Sequence, residues 1–177
     1  MSVFLAMLRG INVSGKNKLK MEALRALGVD LGFQNVQTYI QSGNMVFEAS
    51  GILPSDLAQQ IKSAILQVHG YDVPVMVKTQ KELIEVVAQN PFLDRENEKA
   101  LHLTFLAAQP SAEQLASIET DRYLPDEWQA IGKSIYLFCP NGYGRTKLTN
   151  TFFERRLKME ATTRNWKTVN KLLEMMS

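Results

Sequence analysis

Val36-Gln37-Thr38-Tyr39-Ile40-Gln41-Ser42-Gly43-Asn44-Met45-Val46-Phe47-Glu48-Ala49 is the stretch on which the fold turns. Residues 36–40 carry the β-branched and aromatic types that suit a short strand. Ser42-Gly43-Asn44 is a hairpin turn, because Gly and Asn accept positive φ. Residues 45–49 form the return strand. Upstream, residues 3–8 (Val-Phe-Leu-Ala-Met-Leu) are apolar at odd and even positions alike, the pattern of a central strand covered on both faces. Between them Met21, Leu24, Leu27 and Leu31 recur at helical spacing, Gly28 weakens that helix, and Gly32 ends it. Downstream, Pro54 opens a second helix with Leu57, Ile61, Ile65 and Val68 on one face. Residues 73–77 make a fourth strand, which Pro74 assigns to a sheet edge. The order is β-α-β-β-α-β, that of a ferredoxin-like unit with its first and third strands in the middle.

The second half follows the same order. Residues 101–107 are an apolar strand, Ser111-Ala112-Glu113-Gln114 opens a helix as a capping box, and residues 127–131 and 134–139 form a hairpin across Gly132-Lys133. Thr151-Phe152-Phe153-Glu154 reads as a further capping box, and the last helix carries Trp166, Val169, Leu172, Leu173 and Met176 on an apolar stripe. A helix thus stands where the fourth strand of a repeat belongs. Thr79-Gln80-Lys81-Glu82 caps a helix between the halves. The expected fold class is α+β, two ferredoxin-like subdomains related as a duplication: residues 1–78, a connecting helix and linker at 79–98, and residues 99–177.

Composition is that of a globular protein, with 45% hydrophobic and 21% charged residues in 177. One cysteine, Cys139, allows no intrachain disulfide, the run Val3–Leu8 that Arg9 cuts short does not read as a signal peptide, and no apolar stretch approaches about 20 residues. The cytoplasm is the expected compartment, with no membrane association. The net charge of +2 hides an uneven distribution. Arg9, Lys16, Lys18, Lys20 and Arg25 face a single acid, Glu22, and basic residues again outnumber acids from Arg145 to the end.

Several separated motifs resemble the bacterial family called domain of unknown function 1697. They are Arg9-Gly10-Ile11-Asn12-Val13, Met21, Gly32-Phe33, residues 38–44, Gly144-Arg145-Thr146-Lys147-Leu148-Thr149-Asn150, and residues 161–169. The resemblance implies a pair of ferredoxin-like subdomains and supplies no activity, cofactor or catalytic residue. Ser14 departs from it, where glycine is expected.

The candidate site residues fall in two basic sets. The ferredoxin-like order brings the end of the first strand beside the start of the third, so Arg9, Asn12, Lys16, Asn17, Ser42 and Asn44 are expected at one rim, near the start of the first helix. Exposed N–H groups and the helix dipole favour an anion there. Arg145, Lys147 and Arg164, in polar loops ahead of helices, form a second candidate anion contact, for which the alternative is ordinary helix capping. At the first rim, too, the amides either meet a ligand or satisfy backbone groups.

Conventional catalytic sets are absent. His69 and His102 are far apart in sequence and form no metal motif, and Cys139 reads as a buried filler with no activating base. The expected function is binding of a small anionic or phosphate-bearing molecule, without cofactor. Two alternatives are a metal-independent enzyme using Arg and Asn as electrostatic stabilisers, and a nucleic-acid-associated protein. The last draws only on basic rims, since Asn44 and Val46 stand where RNA-recognition modules carry base-stacking rings.

Overall fold

The computed structural model describes residues 1–177 and divides into two compact units, Met1–Ile84 with Leu172–Ser177, and Glu85–Lys171. In the first, β1 (Ser2–Leu8), α1 (Met21–Asp30), β2 (Gln34–Tyr39), β3 (Asn44–Ala49), α2 (Pro54–His69) and β4 (Val75–Thr79) build an antiparallel sheet in the order β2-β3-β1-β4. The apolar strand β1 is central, with Phe4 opposite Phe47 of β3 and Met7 opposite Met76 of β4. Pro74 lies just ahead of the edge strand β4, where its missing N–H costs no ladder bond. Alternation sends Phe4, Ala6, Leu8, Met45 and Phe47 to the helical face, against Leu24 and Leu27 of α1 and Leu57, Ile61 and Ile65 of α2. Phe33 stacks on Phe47 at 4.2 Å.

Gly28 does not loosen α1; it lies buried inside the helix. A Cβ there would stand 3.0 Å from both Met45 Sδ and Val36 Cγ1, so the missing side chain lets α1 settle onto the hairpin.

The helix α3 (Gln80–Ala88) opens on the expected box: Thr79 N donates to Glu82 Oε2 at 2.8 Å, and Glu82 N to Thr79 Oγ1 at 3.2 Å. The second unit contains β5 (Leu101–Leu106), α4 (Ala112–Ala116), β6 (Glu127–Ile131), β7 (Ser134–Phe138), α5 (Asn150–Leu157) and β8 (Ala161–Asn165), with sheet order β6-β7-β5-β8. The chain is therefore α+β with two similar ferredoxin-like subdomains. The last helix, α6, spans Trp166–Met175.

Two expectations are corrected. A fourth strand, β8, does exist, pairing His102 with Asn165 and Leu106 with Ala161. Its two threonines suit an extended backbone, and the strand passes directly into α6 with no punctuating loop. The start of α5 is capped by Thr149, whose Oγ1 accepts from Phe152 N at 3.2 Å, and not by Thr151, which lies inside the helix.

In this unit Ile135, Leu137 and Cys139 pack with Leu148, Phe153 and Leu157. α4 has only five residues and buries none of them. An edge-to-face chain of rings closes that side of the core instead: Tyr123 on Phe152 (5.4 Å), Phe152 on Phe153 (5.3 Å), and Phe153 on Trp128 (6.2 Å). Arg95 anchors the segment after α3, chelating Glu127 with two bonds of 2.9 Å while lying over the rings of Phe92 and Phe138.

Candidate functional site

At the first rim, β1 delivers Arg9 beside β4, where its N–H donates to Pro74 O at 3.0 Å, and Leu8 N donates to Gly43 O at 2.8 Å. Gly43, at φ 87, is jammed: a Cβ would fall 2.6 Å from Ile11 Cδ1 and 2.9 Å from Leu8 Cβ. The strand end and the hairpin tip thus meet as the topology requires.

The loop between β1 and α1 is tied to itself. Asn12 Nδ2 donates to Leu19 O and Gln41 O, both at 2.8 Å, and its Oδ1 accepts from Leu19 N at 2.8 Å. Asn17 Nδ2 donates to Gly10 O at 3.0 Å, and Asn12 N to Asn17 O at 3.1 Å. Asn12 (φ 53) and Asn17 (φ 48) both take the left-handed conformation that asparagine tolerates. Val13–Lys16 is a miniature hairpin closed by Lys16 N to Val13 O at 2.9 Å, with Ser14 (φ 50) and Gly15 (φ 75) in a type I′ turn. Ser14 thus occupies a backbone conformation that glycine adopts at no steric cost.

Lys16 projects from the turn into solvent. Asn44 is fully buried and donates to Tyr39 O and Ser42 Oγ, each at 3.0 Å. α1 starts after Lys20 without a side-chain cap. The rim therefore holds Asn12 against the hairpin tip and Asn17 against Gly10, with Arg9 at the neighbouring strand end, and both of these amides are spent on the backbone.

The second set is arranged differently. A single 3₁₀ turn, Tyr143–Arg145, leads into a segment in which Thr146 and Leu148 are buried while Arg145 and Lys147 are exposed. The inward residues fix the outward ones. Thr146 Oγ1 accepts from Leu148 N (3.1 Å), Tyr143 Oη accepts from Asn150 N (2.9 Å), and Asn150 Nδ2 donates to Ala161 O (2.8 Å).

On the outer side, Arg145 and Lys147 line a cleft of about 410 Å³ with Arg122, Tyr123, Asp126 and Asn141. Lys147 also borders a groove of about 530 Å³ beside Thr149, Arg155 and Arg156. Arg122 lies 4.0 Å from Glu119, whereas neither Arg145 nor Lys147 forms a salt bridge. Arg164 is in strand β8 rather than a loop: its side chain is buried and donates from Nη1 to Thr163 O at 3.0 Å. Burial lowers its pKa to about 10, which still leaves it charged at neutral pH. Arg122, which the sequence did not single out, joins this set through a loop whose course no local pattern announces.

Cys139 is fully buried, and burial pushes its thiol up to about 11, so it stays protonated at neutral pH. No group of three or more His, Cys, Asp or Glu side chains is positioned to hold a metal ion, and no helix is long and apolar enough to cross a membrane.

A model of the family described as "Protein of unknown function (DUF1697)" matches residues 1–136. The fold is similar to that of the conserved bacterial protein SP0830 from Streptococcus pneumoniae. That likeness has a TM-score of 0.76 at 24% identity and covers 99% of each chain. No curated protein matches the chain.

Proposed function

The chain belongs to the DUF1697 family, and from that premise we propose that it binds a small anionic or phosphate-bearing molecule at the basic cleft of its second unit. One observation carries this reading. Arg145 and Lys147 stand on the outward side of an inward-bonded segment, and they line an open cleft with Arg122 while making no salt bridge of their own. A guanidinium placed there grips a phosphate or carboxylate through two parallel bonds, and a lysine adds a longer-range charge. The first rim supports the reading less, because Asn12, Asn17 and Asn44 already satisfy backbone groups. A cytoplasmic setting accords with a single, buried thiol.

Calorimetric titration of inorganic phosphate and a phosphate monoester into wild type, Arg145→Ala, Lys147→Ala and Arg9→Ala tests the proposal. Arg145→Ala is expected to weaken binding by about 1.5–3 kcal/mol, the usual worth of a charged hydrogen bond, with unfolding unchanged. Equal affinity in wild type and both cleft variants would sink it, and an effect confined to Arg9→Ala would move the site to the first rim. Turnover of the monoester would identify an enzyme. RNA or DNA binding that falls steeply with salt would favour the nucleic-acid reading.

A further inference from the structure

The groove along α5, next to the basic cleft, has no part in the reading above. The i, i+4 spacing of the helix sets Arg155 one turn beyond Thr151 and Arg156 one turn beyond Phe152, and all four line the groove. Arg155 and Arg156 are exposed, and neither forms a salt bridge. Arg156 is placed by a ring instead. Its guanidinium lies over Phe152 at 5.6 Å, and Phe152 is itself braced edge to face with Tyr123 and Phe153. Such a contact locates the charge without consuming the donor fork that a phosphate would meet.

The groove and the cleft are joined. Lys147 borders both, and the Tyr123 ring of the cleft meets the Phe152 ring of the groove at 5.4 Å. Arg122, Arg145, Lys147, Arg155 and Arg156 therefore line one connected depression, in which Asp126 is the single acid. Five cations against one carboxylate repel one another, and a ligand with one phosphate leaves most of that charge unmatched. The rings do not offer a nucleobase an open platform, because Phe152 already meets Arg156, Tyr123 and Phe153. The depression thus favours dense negative charge over stacking.

We infer that cleft and groove form one extended site for a linear inorganic polyphosphate, with successive phosphates running from Arg145 past Lys147 to Arg155 and Arg156. The inference rests on the reading of the cleft as a phosphate site and adds the length and charge of what it holds. Each further phosphate that reaches an unpaired guanidinium gains a charge-assisted hydrogen bond, so affinity rises with chain length until the groove is filled.

Inorganic phosphate, tripolyphosphate and a longer linear polyphosphate are titrated calorimetrically into the full chain in metal-free buffer, with unfolding followed in parallel. The longest chain is expected to bind at least about tenfold more tightly than phosphate. Arg155→Ala and Arg156→Ala should each reduce that gain several-fold and leave phosphate affinity unchanged, whereas Arg145→Ala weakens every ligand. Lys133→Ala removes an exposed charge of the β6–β7 turn, outside both hollows, and should change nothing. If Arg145→Ala weakens phosphate but chain length brings no gain, the extended site is refuted and the cleft reading stands. If neither phosphate nor polyphosphate binds, both fall. A gain that survives both α5 variants, an equal loss in Lys133→Ala, or an oligothymidylate of matched charge that binds as tightly also overturns the inference.

Discussion

The loop at 10–19 and the loop at 141–149 are both basic, both contain glycine and asparagine, and both precede a helix. Their side chains are used in opposite ways. In the first, asparagines turn inward and hydrogen-bond the backbone, holding left-handed residues in place. In the second, inward threonine and leucine secure the segment, and Arg145 and Lys147 are left outside facing a cleft. A count of charges and amides makes the two loops equivalent. The physical difference lies in which groups the backbone has already consumed, because a satisfied amide has no donor left to offer a ligand.

The comparison breaks most visibly at the hairpins. Gly43→Ala places a Cβ among Leu8 and Ile11 at φ 87, and the combined backbone strain and overpacking should cost about 2–4 kcal/mol. Gly132→Ala, in the β6–β7 turn, has open space around it at φ 58 and should cost only about 1 kcal/mol of backbone strain. Paired urea titrations measure both, and equal losses would show that the first rim is not packed as described.

The next effect is Asn12→Ala. It removes three side-chain bonds and should lower stability by about 1.5–3 kcal/mol while leaving phosphate affinity unchanged. Loss of affinity without loss of stability would return Asn12 to a ligand-binding role.

The smallest effect separates His102 from the rest. Its folded pKa is lowered, so its unfolded form binds protons first as the solution is acidified. The stability it contributes is full above the unfolded value of 6.5 and declines as pH falls through the folded pKa. Thermal unfolding of wild type and His102→Phe from pH 7.5 downward should diverge in slope below about 6.5. Parallel curves would show that burial does not act on this ring.

Most of the fold was legible because β1 and β5 are apolar runs of strand length and the period of 3.6 is strong in α1 and α2. β8 was not, since Ala161-Thr162-Thr163-Arg164-Asn165 shows no apolar alternation and continues into α6 unbroken. The candidate residues were legible as types, but their fate was not. Whether an asparagine meets a ligand or a carbonyl depends on the distance to Gln41, twenty-nine positions away. His102 likewise meets Asn165, sixty-three positions on, only because strand pairing sets the two side by side.

The edge strand β2 has a consequence for the protein in a crowded solution. Its register against β3 shifts between Gln34 and Gln37, and Asn35 within that irregularity takes φ 49. A straight, open strand edge is a template on which another molecule can continue the sheet, the first step towards fibrillar aggregation. The kink at Asn35 breaks the row of outward N–H and C=O groups, and the polar Gln34, Asn35 and Gln37 offer an incoming strand little apolar surface to bury. β2 therefore terminates its sheet chemically as well as topologically, keeping neighbouring copies from zipping onto it.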